Sequence, residues 1–132
     1  MIENSPVVPV RRLNIPVRDP SAETGTAFMR RIRDLPLEER EEEIFRAAAS
    51  GNIPGFLRET ITLRAVFNDL NGAPHAIEYE VMPDYLAIGS DDNFCRIPMN
   101  PRTAQRLADL FGGSLLTAKL SDHIWASAEV RL

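Results

Sequence analysis

The sequence predicts an α+β domain in which helices lie before and after an antiparallel meander of about four strands and pack on one of its faces. Two observations predict this class. Apolar residues recur at helical spacing near both ends of the chain, and they alternate with polar residues in its middle. The chain has 132 residues, 44% apolar and 26% charged, which is typical of a soluble domain with its own core.

An extended arm is predicted for residues 1–22. Four prolines lie in it, Pro6, Pro9, Pro16 and Pro20. Proline removes a backbone donor and favours extended conformations in its neighbours, so a helix is not expected there. Residues 23–132 are expected to form the single α+β domain.

Two helices are predicted to follow the arm. The first has one apolar face, formed by Phe28, Met29 and Ile32. The second begins near Pro36, and its predicted buried face consists of Leu37, Ile44, Phe45 and Ala48. The acidic run at residues 38–43 is interpreted as the solvated face of that helix.

Four strands are predicted in the middle of the chain. "ITLRAVFND" and "HAIEYEVM" alternate apolar and polar residues, which indicates half-buried strands. Asn71 and Gly72 lie between them and tolerate positive φ, so these two strands are predicted to form an antiparallel hairpin. "YLAIGS" and "FCRIPM" predict two shorter strands around a turn at residues 90–93.

Two more helices are predicted near the C-terminus. Asn100 and Pro101 form an N-cap signal, followed by apolar residues at helical spacing. The last helix places Leu120, Ile124 and Ala128 on one stripe. Trp125 flanks that stripe, and its size predicts that it is buried and contributes strongly to the core.

Composition excludes several classes of function. The net charge is −4, only one lysine occurs, and no basic helix or basic aromatic stripe is present, so nucleic-acid binding is not expected. No stretch approaches the roughly 20 apolar residues of a membrane span, and the chain shows no signal peptide. A single cysteine, Cys95, excludes an internal disulfide and a cysteine-rich zinc site. Phosphate-cradling motifs are missing too, so no cofactor is predicted.

The acidic turn around Asp91 and Asp92 is the first candidate site. Carboxylates in a loop could bind calcium, but the alternating ligands of a calcium loop are missing. A hairpin turn explains the cluster without a ligand, so no metal is predicted. Cys95 could act as a thiol nucleophile with His75 or His123, but no local signature supports this. Cys95 is expected to be buried.

Three polar residues of the last helix form the other candidate. Lys119, Asp122 and His123 lie within about one turn, where they could bind an anion or transfer protons. An exposed polar face is the alternative. Together with the acidic residues before them they make the set of candidate catalytic residues: Asp84, Asp91, Asp92, Lys119, Asp122 and His123.

Three segments carry a resemblance to a known family. "GNIPGFLR", "PDYLAIGSDDNF" and the chain from Ile97 onward resemble an uncharacterised family of bacterial exported proteins, with the pattern "DYLAIGSDD…PM.P..AQ..AD". Thr117, Lys119 and Asp122 match that family, whereas Leu116 and Leu120 stand where proline and methionine are usual. The resemblance implies an extracellular or periplasmic location. It also implies that this chain is the N-terminal part of a longer protein.

Two functions are consistent with these features. The first is a non-catalytic binding or structural module of an exported bacterial protein, whose partner is a protein or a cell-envelope ligand. The second is a cell-envelope hydrolase domain, or a fragment of one, that uses the acidic turn and the polar face of the last helix. They differ in whether the candidate groups converge on one point, because catalysis requires several groups within reach of a common substrate atom.

Overall fold

A computed structural model describes residues 13–128 and confirms the α+β class. The helices are α1 (Gly25–Ile32), α2 (Leu37–Ala49), α3 (Pro101–Phe111) and α4 (Ala118–Ser127). The strands are β1 (Ile61–Asn68), β2 (Pro74–Val81), β3 (Ala87–Gly89) and β4 (Phe94–Arg96). A short 3-10 helix at Gly55–Leu57 precedes β1.

The four strands form two separate two-stranded antiparallel sheets, rather than one continuous meander. β1 pairs with β2 from Ile61 opposite Val81 to Asn68 opposite Pro74, and β3 pairs with β4. The break between the sheets has a local cause. Pro83 has no N–H to donate, and the next residue, Asp84, accepts a hydrogen bond from the backbone N–H of Tyr85.

The first two helices bury much of the apolar face that their sequences predict. Phe28 and Ile32 of α1 are buried, and α1 packs on β3 and β4. Ile44 and Ala48 of α2 are also buried. Leu37 was expected on the same buried face but is 62% exposed, because it is the first residue of α2 and lies beyond the turns that contact the core.

The core consists of two buried clusters. The first contains Ala48, Ile53, Leu57, Ala87, Leu107 and Phe111. The second contains Phe28, Ile32, Ile44, Ile88 and Ile97. Met99 packs against both clusters and joins them. The core therefore lies among α1, α2, α3 and the β3–β4 hairpin.

The β1–β2 hairpin lies outside these two clusters. Neither cluster includes a residue of β1 or β2, although Val81 at the end of β2 is buried. The hairpin contacts α4, where the Tyr79 hydroxyl and the His123 ring share a hydrogen bond. The hairpin and α4 thus support each other beside the main core.

Trp125 is 55% exposed, so the prediction that it is buried was wrong. α4 contacts the hairpin through His123 and Lys119. Each residue turns a helix by about 100°, so Trp125, two positions after His123, points about 200° away from that contact. Leu120, Ile124 and Ala128 are only half-buried.

Cys95 and the first residues of the chain complete the comparison with the predicted elements. Cys95 is half-buried and packs against the second cluster, although full burial was expected. Residues 13–22 of the predicted arm contain no helix or strand, and Leu13 and Ile15 pack against the first cluster. Residues 1–12 of that arm and residues 129–132 lie outside the described part of the chain.

Candidate functional site

Asp91 and Asp92 lie in the turn that joins β3 to β4. Ser90 and Asn93 exchange backbone hydrogen bonds across this turn, at 3.0 and 3.2 Å. The Asn93 side chain accepts from the backbone N–H and the hydroxyl of Thr26, both at 3.0 Å, at the start of α1. The turn therefore links β3–β4 to α1. Within residues 13–128, no group of three or more potential ligands is arranged to hold a metal ion.

The two carboxylates of this turn have different surroundings. Asp91 accepts a hydrogen bond from the backbone N–H of Phe56 at 3.3 Å. Asp91 also lies close to Gly55. A Cβ atom added at Gly55 would stand only 3.0 Å from one of the carboxylate oxygens of Asp91. Asp92 is exposed. Asp91 thus tethers the turn to the short 3-10 helix.

Asp84 is held in a two-point ion pair with Arg96. The Arg96 Nε and Nη2 atoms lie 3.0 and 2.6 Å from the two carboxylate oxygens. The hydrogen bonds from Arg96 hold the pKa of Asp84 below its usual value, and the backbone N–H of Tyr85 lowers it further against the opposing effect of burial. This carboxylate stays ionised and anchors the start of β3 to the end of β4.

The polar trio of α4 is divided between the hairpin and solvent. The Lys119 Nζ atom lies 5.0 Å from the centre of the Phe67 ring, a cation–π distance. His123 Nδ1 shares a hydrogen bond with the Tyr79 hydroxyl, whose pKa is raised by burial. Asp122 is exposed. Lys119 and His123 therefore fasten α4 to the hairpin.

The six candidate residues therefore contact different elements. Asp91 contacts the 3-10 helix and Asp84 contacts Arg96, whereas Asp92 and Asp122 are exposed. Lys119 and His123 contact β1 and β2. None of these contacts joins an acidic candidate of the β3–β4 region to a residue of the α4 trio.

A network of hydrogen bonds around Arg58 was not predicted from the sequence. The guanidinium of Arg58 donates to the backbone carbonyl oxygens of Ile15, Pro16, Gly51 and Ile53. Burial lowers the pKa of Arg58. Arg58 is the last residue of the "GNIPGFLR" segment. Its partners Ile15 and Pro16 are 43 and 42 residues away in the chain, so the spacing of nearby residues could not predict these hydrogen bonds. Arg58 thus ties residues of the arm to the loop after α2.

An exposed apolar surface lies on the β1–β2 hairpin. The strand register places eight residues on the side that meets α4, and we call them the hairpin face: Ile61, Leu63, Ala65, Phe67, His75, Ile77, Tyr79 and Val81. Ile61, Phe67 and Ile77 keep exposed fractions of 46, 39 and 44% even beside α4. α4 therefore covers the hairpin face only in part.

Comparison with known proteins identifies no relative. No family model matches the chain, and no curated protein or solved structure is significantly similar to it. The resemblance to exported bacterial proteins therefore stays a prediction. Within residues 13–128, none of the helices has the length and apolar character that crossing a membrane requires.

Proposed function

We propose that this chain is a non-catalytic binding module of an exported bacterial protein, and that the hairpin face with the outer edge of β1 receives a protein partner. The exposure of Ile61, Phe67 and Ile77 on one face is the observation that carries the proposal. Large contiguous apolar patches are uncommon on monomeric soluble proteins and mark surfaces that a partner covers.

The edge of β1 offers a backbone site for that partner. Within residues 13–128 β1 pairs only with β2, so no described strand covers the N–H and C=O groups of its other edge. An extended segment can add to such an edge as a further strand. The outer edge of β2 is a less favourable place to add an acidic strand, because Pro74 has no N–H and both Glu78 and Glu80 are negatively charged.

The side chains of β1 define the partner's chemistry. Arg64 is exposed, forms no ion pair within residues 13–128, and stands opposite Glu78 in the register. A second strand beside β1 would place its own residues next to Arg64 on one face and next to Leu63 and Ala65 on the other. An extended segment that alternates acidic and apolar residues fits both faces.

α4 supports this surface. An isolated two-stranded hairpin is at best marginally stable in water, and packing against a helix stabilises it. The contacts of Lys119 with Phe67 and of His123 with Tyr79 supply that packing. The hydrolase alternative would require these residues to meet the acidic turn, and their contacts lead to the hairpin instead.

A peptide copied from β2 tests the proposal. Residues 74–81 already pair with β1 along its inner edge, and acidic residues alternate with apolar or aromatic ones over residues 77–81. We expect the labelled peptide to bind the native protein in fluorescence anisotropy, and its Glu78→Lys, Glu80→Lys version to bind at least about tenfold more weakly. Amide hydrogen exchange separates strand addition from displacement, because addition protects the outer N–H groups of β1 while β2 stays protected.

An Arg64→Glu variant should reverse the preference between the two peptides. Arg102→Glu is the matched control, because Arg102 is exposed on α3 and does not belong to the hairpin. The proposal is wrong if neither peptide binds, if both bind equally, or if Arg64→Glu leaves the preference unchanged.

A further inference from the structure

A cleft of about 260 Å³ opens beside α2, away from the hairpin face. Its lining comes from the first two turns of α2 and from the segment between β4 and α3: Leu37, Arg40, Glu41, Ile44, Pro98 and Met99. Ile44 is almost completely buried, whereas Leu37 is exposed. The walls are therefore mainly apolar, and two charged side chains lie among them.

Arg40 has unused hydrogen-bonding capacity in this cleft. Its Nε atom is buried, and no described residue accepts a hydrogen bond from it. The residue as a whole is only half-buried, so part of its side chain stays open to water. A ligand that brings an acceptor to the guanidinium can therefore use this hydrogen-bonding capacity.

The other charged residue of the cleft is already engaged. One Glu41 carboxylate oxygen accepts from the backbone N–H of Asn100 at 3.0 Å, and the other accepts from the Thr103 hydroxyl at 2.7 Å. Glu41 thus joins α2 to the start of α3. It does not neutralise Arg40 by an ion pair.

The next two acidic residues of α2 also bind other arginines. The Glu42 Oε2 atom lies 3.2 Å from Arg106 Nη1, and the Glu43 Oε2 atom lies 3.0 Å from Arg31 Nη1. Arg40 forms no ion pair within residues 13–128. Leu37, the first residue of α2, lines the cleft, so the positive end of this helix lies beside it. Pro36 provides no side-chain cap for the N–H groups of the first turn.

We infer that this cleft binds a carboxylate carried on a short branched apolar group. The guanidinium of Arg40 can donate two parallel hydrogen bonds to a carboxylate, which an ammonium cannot do with the same geometry. The apolar walls of Leu37, Ile44 and Met99 would receive the hydrocarbon part. The volume is below the roughly 300 Å³ of ordinary ligand pockets, so the ligand is the size of one residue.

Two sources carry this chemistry, the C-terminal residue of a peptide and a free branched-chain acid. N-acetyl-leucine represents the first and 4-methylpentanoate the second. Both are expected to bind, and the tighter of the two identifies the source. Their uncharged amides keep the same apolar part and lose the carboxylate.

An NMR titration of the native protein tests the inference. We expect both carboxylates to shift the signals of Leu37, Ile44 and Met99 saturably, with a Kd on the order of 1 mM for such small ligands. The amides should bind at least about tenfold more weakly, because they cannot form the charge-assisted pair with Arg40.

Two variants of α2 supply the matched comparison. Arg40→Gln should weaken carboxylate binding at least about tenfold and should not lower the melting temperature, because Nε has no described acceptor to lose. Arg46→Gln changes the same residue type on the same helix outside the cleft, and it should bind like the native protein. Equal shifts by acids and amides, no saturable shift by either acid, or unchanged binding by Arg40→Gln would overturn the inference.

Discussion

Phe28 has no exposed surface, whereas Trp125 keeps 55% of its surface in solvent. Phe28 packs in the second cluster beside Ile32 and Ile88, where α1 meets β3. Trp125 points away from the contact of α4 with the hairpin. A side chain stabilises the fold by the apolar surface it removes from water, so the larger residue contributes less here.

Replacing each residue by alanine should show this difference. Phe28→Ala should lower the free energy of unfolding by about 3 to 5 kcal/mol, since it leaves a cavity in the core. Trp125→Ala should cost less than Phe28→Ala, because about half of its side chain already lies in solvent. Urea denaturation followed by circular dichroism measures both, because Trp125→Ala removes the tryptophan fluorescence. A larger loss for Trp125→Ala would show that α4 is packed differently.

The β3–β4 hairpin is fastened at both ends, and each fastening uses a carboxylate or amide side chain. At the turn, Asn93 binds Thr26 and Asp91 binds Phe56. At the open end, Asp84 pairs with Arg96. These contacts join strands of only three residues each to α1 and to the 3-10 helix. Such short strands need them, because few ladder hydrogen bonds hold the pair together.

The Asp84–Arg96 pair should make this element sensitive to acid. Hydrogen bonds from Arg96 lower the pKa of Asp84 in the folded state, whereas an unfolded aspartate titrates near pH 3.9. The stabilisation is therefore present above about pH 4 and is lost as the pH falls through the lower pKa of the folded state.

The Asp84→Asn variant should have a lower melting temperature than the native protein at pH 7. Between pH 5 and pH 2, the melting temperature of the variant should fall by less than that of the native protein. Melting curves across that range provide the measurement. Asp19 and Asp69 also have lowered pKa values, but they are present in both proteins and cancel in the comparison. Parallel curves for the two proteins would mean that the pair contributes nothing.

At the scale of the whole molecule, residues 13–22 are held against the body by arginines. Arg58 binds the backbone of Ile15 and Pro16, and Arg18 binds the side chain of Asn52 at 3.0 Å. Gly51 lies where these two parts meet. Its φ is +94°, and a Cβ there would lie 2.4 Å from the carbonyl oxygen of Pro16.

Gly51→Ala and Gly72→Ala form a matched pair for this contact. Both glycines have positive φ, but nothing lies within 4 Å of a Cβ at Gly72. Gly72→Ala should therefore lower the free energy of unfolding only by the cost of a left-handed backbone at a residue with a Cβ atom, about 1 to 2 kcal/mol. Gly51→Ala should cost more, because the chain near Pro16 must also move. Urea denaturation measures both, and equal costs would show that the contact with Pro16 adds nothing.

The local features of this protein follow from its sequence. Asn100 caps α3 by accepting from the backbone N–H of Thr103, and Gly72 takes the positive φ that the turn of the β1–β2 hairpin needs. The apolar spacing of α1 predicts the burial of Phe28. Caps, turns and periodicity depend on residues close together in the chain, so a single sequence is enough to predict them.

Tertiary contacts alone decided the features on which the proposals rest. The incomplete cover of the hairpin face, the exposure of Trp125 and the cleft at Arg40 depend on how elements pack. The same is true of the candidate site, where Asp84 meets Arg96 across 12 residues and His123 meets Tyr79 across 44. Spacing shows which residues share a face of one element, but the partner of that face is set by packing between distant segments.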